Sequence, residues 1–169
     1  MSELPAVLAE SFARNGRVNA ALLASLTEAD LDLWDNAGGW TVGQHLGHLA
    51  GFRKGWLSEI SPPHAEPLHY IISISRATGA FVLSTHDLSE IAATFSAGDA
   101  AALSAVQQAL AQGYSFAGTY ESHPAHFLQH ILVHDAHHRG QIMTLLRRGG
   151  RSAEQMDELD DATWPVWKE

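Results

Sequence analysis

The run Val133-His134-Asp135-Ala136-His137-His138-Arg139-Gly140-Gln141 decides how this chain is read. His134 and His138 are four residues apart, so on a helix their imidazoles project from the same side, about one turn apart. Phe127 and Ile131 precede them on that stripe, and Ile142 and Leu145 follow. Two polar rings inside an apolar, core-facing stripe need hydrogen-bond partners or a metal, because an unpaired buried imidazole is costly. Neutral imidazole is the commonest protein ligand for a divalent metal and suits zinc and nickel. The spacing alone leaves two readings open, a metal site or satisfied core histidines.

The rest of the composition narrows the setting. A chain of 169 residues, 46% hydrophobic and 17% charged, fits one globular domain over residues 1–169 with a sizeable core. Ten basic residues against nineteen acidic ones give a formal charge of −9. That balance argues against a nucleic-acid partner, which needs a basic patch. Arg147, Arg148 and Arg151 form the densest basic cluster, and they stand at a helix end where cations suit the macrodipole. The chain has no cysteine, which excludes disulfides, thiolate ligands and a cysteine nucleophile. No stretch approaches the ~20 apolar residues of a membrane span, and Met1-Ser2-Glu3 does not begin a signal peptide, so the expected location is cytoplasmic.

Eleven histidines are many for this length. Five of them lie between positions 126 and 138, and His126, His130, His134 and His138 repeat every four residues. Such a repeat drifts about 40° per step around a helix, so the four cannot converge on one point. His126 and His130 are therefore read as surface or supporting residues.

Helical periodicity organises the chain into four long segments. Ser2 and Pro5 open the first as cap and first-turn proline, and Val7, Leu8, Phe12, Val18, Leu22 and Leu26 carry its apolar stripe, with Gly16 as a weak point. After a connector with a short turn around 29–34, Thr41 and Gln44 form a capping box for a second helix to about Glu59, stopped by Ser61-Pro62-Pro63. Asp87 and Glu90 suggest a second capping box and a third helix over 88–112, bent at Gly98 and ended by Gly113. The fourth opens at Ser122-His123-Pro124 and closes at Gly149-Gly150, before an acidic and then aromatic tail. Residues 68–84 read as a small hairpin about as well as a helix, and the hairpin is preferred, as an insertion. The architecture that follows is all-α, a four-helix bundle whose core is a usual place for a metal.

A catalytic metal commonly takes three protein ligands and keeps one position open. The second helix offers His45 and His48 in Trp40-Thr-Val-Gly-Gln-His45-Leu-Gly-His48-Leu49. Its stripe Val42, Leu49, Trp56 and Ile60 is centred nearer His45, so periodicity leans to His45 without deciding.

Trp40, Thr41, Val42, His48 and Leu49 resemble the second-helix pattern of the DinB-like (YfiT-like) metal-binding bundles, and His134-Asp-Ala-His137-His138-Arg-Gly-Gln141 resembles that family's most specific signature. The resemblance covers nearly the whole chain, apart from 68–84. It implies His48, His134 and His138 as ligands of a zinc or nickel ion, in an up-down-down-up bundle that is usually a homodimer. His137 falls about 100° from His138 and is read as packing. Asp135 is read either as orienting a ligand ring alongside Gln141 or as exposed, Arg139 as pairing with an acidic residue of a neighbouring helix, and Gly140 as allowing close helix approach.

The resemblance also points to a small-molecule substrate and two enzyme types, thiol-dependent transferases acting with a low-molecular-weight thiol, and metal-dependent hydrolases. A metal-bound thiol stays deprotonated near neutral pH, which gives the first type a physical basis. A hydrolase wants a carboxylate as general base, yet no His-Glu-x-x-His motif is present, and Glu121 and Asp135 are the acidic residues nearest the signature. The transferase is therefore preferred. The rival class is a non-catalytic metal-binding or stress-response bundle, which a fourth ligand from His64, His69 or His86 would favour. Tyr114, Phe116, Tyr120, Trp164 and Trp167 are read as core or dimer packing.

Overall fold

Helical segments account for most of the computed structural model, which describes residues 3–169. The expected Ser2 cap lies outside the described residues. Helix α1 runs Glu3–Ala24, followed by a 3-10 turn at Glu28–Asp32. Helix α2 spans Val42–Ile60 and the short α3 spans Pro62–Ala65. Strands β1 (Ile72–Ile74) and β2 (Phe81–Leu83) precede α4 (Leu88–Gln112) and α5 (His126–Arg148). Helix α6 (Ala153–Thr163) and a 3-10 turn at Trp164–Lys168 complete the described chain. None of these helices is long and apolar enough to cross a membrane.

Local chemistry explains the boundaries. The Thr41 hydroxyl accepts from the Gln44 N–H at 3.1 Å while the Gln44 side chain accepts from the Thr41 N–H at 2.8 Å, the reciprocal box expected. Asp87 caps α4 through Ser89 and Glu90 N–H groups, but the Glu90 carboxylate turns toward His69, 4.0 Å away, and the second box is not made. Gly113 ends α4 at φ +71°, a left-handed conformation that costs glycine little. Residues 68–84 form the hairpin rather than a helix, with Ile72 opposite Leu83, Ser73 opposite Val82 and Ile74 opposite Phe81. Its β-branched and aromatic residues suit a pleated surface.

Helix α2 packs on α4 and α5, and α1 packs on α4, α5 and α6. Leu46, Leu49, Ile91, Phe95, Ile142 and Leu146 form the core between them. The hairpin lies across α2 on a stripe of glycines. A β-carbon at Gly43 would meet Leu83 at 2.8 Å, one at Gly47 would meet Ile72 and Leu83 at 3.1 Å, and one at Gly51 would meet Ile72 and Tyr70 at 3.4 Å. The four-residue spacing puts these glycines on one face, and that face lets two backbones approach. Gly140 does not serve close approach as expected, since a β-carbon there meets nothing within 4 Å.

A charged cluster crosses the interior. Arg53, 0% exposed, forks onto Asp135, also 0% exposed, with Nη1 to Oδ1 at 2.9 Å and Nη2 to Oδ2 at 2.7 Å. Its Nε donates to Asp99 at 2.8 Å. Asn15 and Asn19 of α1 donate to Asp135 Oδ2 at 2.6 and 2.7 Å. Burial alone would raise the Asp135 pKa, but the Arg53 charge and these hydrogen bonds hold it below the ordinary carboxylate value. The bend expected at Gly98 is not needed to explain that glycine. It leaves room for Arg53, whose side chain would stand 3.0 Å from a β-carbon there.

Two outcomes follow for folding. Arg53→Ala leaves two buried carboxylates uncompensated and should cost about 3–5 kcal/mol in urea unfolding, against about 1 kcal/mol or less for Arg17→Ala at an exposed pair. Gly47→Val should destabilise by about 1–3 kcal/mol by lifting the hairpin, whereas Gly140→Ala should stabilise by up to about 1 kcal/mol.

Candidate metal centre

Three imidazoles meet where α2 and α5 face each other. One nitrogen from each of His48, His134 and His138 lies within 4.8 Å of the others, and the ring centroids are 4.6–5.0 Å apart. His48 Nε2 and His134 Nε2 are 3.1 Å apart. Two nitrogens on one tetrahedral zinc, each at ~2.0–2.1 Å, stand roughly 3.3 Å from each other, close to the His48–His134 separation, and a His138 nitrogen lies within 4.8 Å of both, so the three residues could hold such an ion.

Aromatic residues wall the group. Phe52, one turn after His48 on α2, stacks on His134 at 3.8 Å and 20°. Trp40 lies nearly parallel to His138, at 6° and 5.8 Å, and meets His48 edge-on at 4.9 Å. Phe81 of β2 reaches across from the hairpin to His48 and Trp40. Gln44, which belongs to the α2 cap, also donates to the Phe81 carbonyl and so anchors the hairpin at this end of α2.

Desolvation in this jacket keeps the rings neutral. Burial, then the neighbouring His138 and His48, pulls His134 down to about 3. Burial, then His48 and His137, lowers His138 to about 4, and burial lowers His48. Neutral rings offer lone pairs, the state a metal ligand requires.

The outer contacts differ between the rings. His138 Nδ1 lies 3.1 Å from the Gln141 side-chain oxygen, and Gln141 in turn reaches His137 at 3.2 Å. A proton on His138 Nδ1 donated to Gln141 leaves Nε2 free to ligate. His134 Nδ1 is buried without a partner, so Phe52 stacking, rather than a hydrogen bond, sets that ring.

His45 is also buried, as the stripe suggested, but it meets His138 through Nδ1 atoms 3.0 Å apart and stands outside the group of three. Burial first, then the His138, His48 and His137 rings, lowers it to about 4. His137 is exposed and His126 lies on the surface. His130 Nδ1 and the Tyr120 hydroxyl are hydrogen-bonded at 2.6 Å, and His130 stands outside the group of three, its ring 6.3 Å from that of His134. No fourth ligand comes from the 64–86 segment: His64 bonds Ser61 and Ser104, His69 lies by Thr94, and His86 bonds Asp32. Asp135 orients no ring and is not exposed; Arg53 and the two asparagines occupy it. Arg139 pairs with no acidic residue among those described and donates instead to Asn15 and Asn19.

A cleft of about 640 Å3 opens beside the group, lined by Asp35, Trp40, His45, His137, His138 and Gln141 among others. Arg53 and the walls formed by Phe52 and Phe81 were not among the site residues expected from the sequence. Arg53 was legible, since Leu46, Leu49, Arg53 and Leu57 follow one core-facing stripe at helical spacing. The walls were not, because Phe81 arrives from a distant segment.

The sequence model of the DinB family matches residues 1–169. No curated protein and no solved structure matches the chain.

The neutral rings set a pH dependence. Unfolded histidines protonate near 6.5, while His134, His45 and His138 in the fold do so at about 3–4, so the unfolded chain binds more protons between these values. Stability is fully present above about 6.5 and is lost progressively as pH falls toward about 3. Urea midpoints of metal-free protein should drop across that window, and His134→Gln should flatten the drop.

Proposed function

The chain belongs to the DinB family, and from that premise we propose that His48, His134 and His138 hold one divalent ion, zinc or nickel, and that the protein is a thiol-dependent transferase acting on small electrophiles in the cytoplasm. The observation that carries the metal is the convergence of three neutral ring nitrogens within 4.8 Å, from two helices held in register by a buried ion pair. An all-imidazole donor set suits zinc and nickel and leaves room for an exogenous ligand. Bound there, the ion would keep a low-molecular-weight thiol deprotonated near neutral pH.

The chain's own residues support the remainder of this reading. Gln141 fixes the His138 ring, Phe52 fixes the His134 ring, and Trp40 and Phe81 exclude water on the His48 side. The cleft beside His138 is large enough for a small substrate, within the usual ~300–1,000 Å3. A hydrolase is less well supported. Asp135 is consumed by Arg53, and Glu121 accepts from the Gly118 N–H in an exposed loop, so neither carboxylate is free beside the three rings to act as a general base. The up-down-down-up course of the four long helices and assembly as a homodimer belong to the same proposal. The contacts of both α1 and α2 with α4 and α5 support the first, and the exposed apolar residues Ile74 and Val82 of the hairpin support the second.

Metal analysis of untagged alanine variants tests the site. Changing His48, His134 or His138 should each strip the ion, whereas His45→Ala, His130→Ala and His137→Ala should keep most of it. In the cobalt-substituted protein, small thiols should alter the visible spectrum. Loss of metal in His45→Ala with retention in His48→Ala would overturn the ligand set. A spectrum unresponsive to thiols would leave a metal-binding protein without transferase chemistry.

A further inference from the structure

A second concavity, about 250 Å3, lies on the side of α5 turned away from the histidines. Relative to His138 and Gln141, the residues Ala136, Arg139 and Met143 fall on the opposite half of the helix. Helix α1 contributes Val18 and Leu22 to this pocket, and the end of the chain contributes Trp164 and Trp167, which are 62% and 38% exposed.

Arg139 is the unusual member. Its Nη1 donates to the side-chain oxygens of Asn15 at 2.6 Å and Asn19 at 2.7 Å. Both are neutral amides, and Asp135 beyond them is fully engaged by Arg53, Asn15 and Asn19. Arg139 thus makes no ion pair among the described residues, although it is half-buried. Its Nε and Nη2 have no protein hydrogen bond there, and neither is sealed off, since His134 Nδ1 is the buried side-chain atom left without a partner. Arg139 is among the residues that line the pocket. A half-buried cation without an anion is unfavourable, and a guanidinium edge with two parallel N–H groups matches a carboxylate.

We propose that this pocket binds a small carboxylic acid with a flat apolar body. The carboxylate sits on Arg139 Nε and Nη2, and the body lies among Met143, Trp164 and Trp167. The volume falls below the ~300–1,000 Å3 of drug-sized sites, which restricts the ligand to a single ring and short chain. Asp160 also lines the pocket and makes no side-chain hydrogen bond or ion pair among the described residues. It disfavours a second carboxylate and favours an amino group on the ligand, so an aromatic amino acid should bind more tightly than the plain acid.

The two tryptophans provide the readout. The probes are phenylalanine, 3-phenylpropionate and phenethylamine, added to the full chain while the indole N–H signals of Trp164 and Trp167 are followed by NMR. Both acids should shift these signals saturably at millimolar concentration or below, phenylalanine more tightly, and the amine alone should not. Chelator-treated protein should bind equally well, which separates this pocket from carboxylate capture by a metal. Ala136→Leu fills the pocket without touching Arg139's amide partners and should weaken binding about tenfold or more. Arg139→Gln should do the same if it folds. Absence of a saturable shift, tighter binding of the amine than of the acids, or unchanged affinity in Ala136→Leu would overturn the proposal.

Discussion

The buried pair between Arg53 and Asp135 is the constraint on which the rest of the arrangement depends. It joins α2 to α5 in the interior, and each partner directly follows a residue of the histidine group or its aromatic wall. Asp135 follows His134 directly, and Arg53 follows Phe52, the ring stacked on His134. A fork of two parallel N–H groups accepts a carboxylate in essentially one geometry, so the two helices cannot slide past each other without breaking it. Asn15 and Asn19 add α1 to the same carboxylate, and Asp99 adds α4 to the same guanidinium. All four long helices therefore meet at one polar cluster. Such a cluster contributes little net stability compared with apolar packing, but it is very unfavourable when half-made, and that asymmetry specifies register.

Register in turn makes the histidine group. Imidazoles from two helices come within ligand distance of one another only when the helices have the correct rotation and height, and His48 and His134 then face each other at 3.1 Å. The aromatic jacket acts on the chemistry rather than on the position. Trp40, Phe52 and Phe81 remove water from the rings, which lowers their pKa values and keeps them as lone-pair donors. The same desolvation leaves His134 Nδ1 buried and unpartnered, a cost that the fold carries at the histidine group.

The hairpin shows how one sequence feature can serve two purposes. Glycines at 43, 47 and 51 weaken α2 as a helix, since each costs roughly 1 kcal/mol relative to alanine. They are kept close to a strand pair, and this closeness brings Phe81 onto His48. Gln44 serves the helix cap and the hairpin together, which ties the N-terminal end of α2 to the wall of the site.

By itself the sequence determined whatever depends on neighbours along the chain. The Thr41–Gln44 box, the Gly113 stop, the helical stripes and the β-branched runs of the hairpin are local, and each has a short-range physical cause. The four-residue spacing of His134 and His138 likewise fixed that they share a face of α5. Tertiary structure decided the remainder. Periodicity drew His45 inward as correctly as it could, yet His48 joins the group because α5 packs against α2 at one rotation, and a rotation between helices has no local signature. From the sequence, Arg139 was expected to pair with an acidic residue of a neighbouring helix, and Asp135 either to orient a ligand ring or to be exposed. Their partners lie more than 75 positions away, so the partition of one carboxylate among Arg53, Asn15 and Asn19, with Arg139 left over, could be settled only by packing.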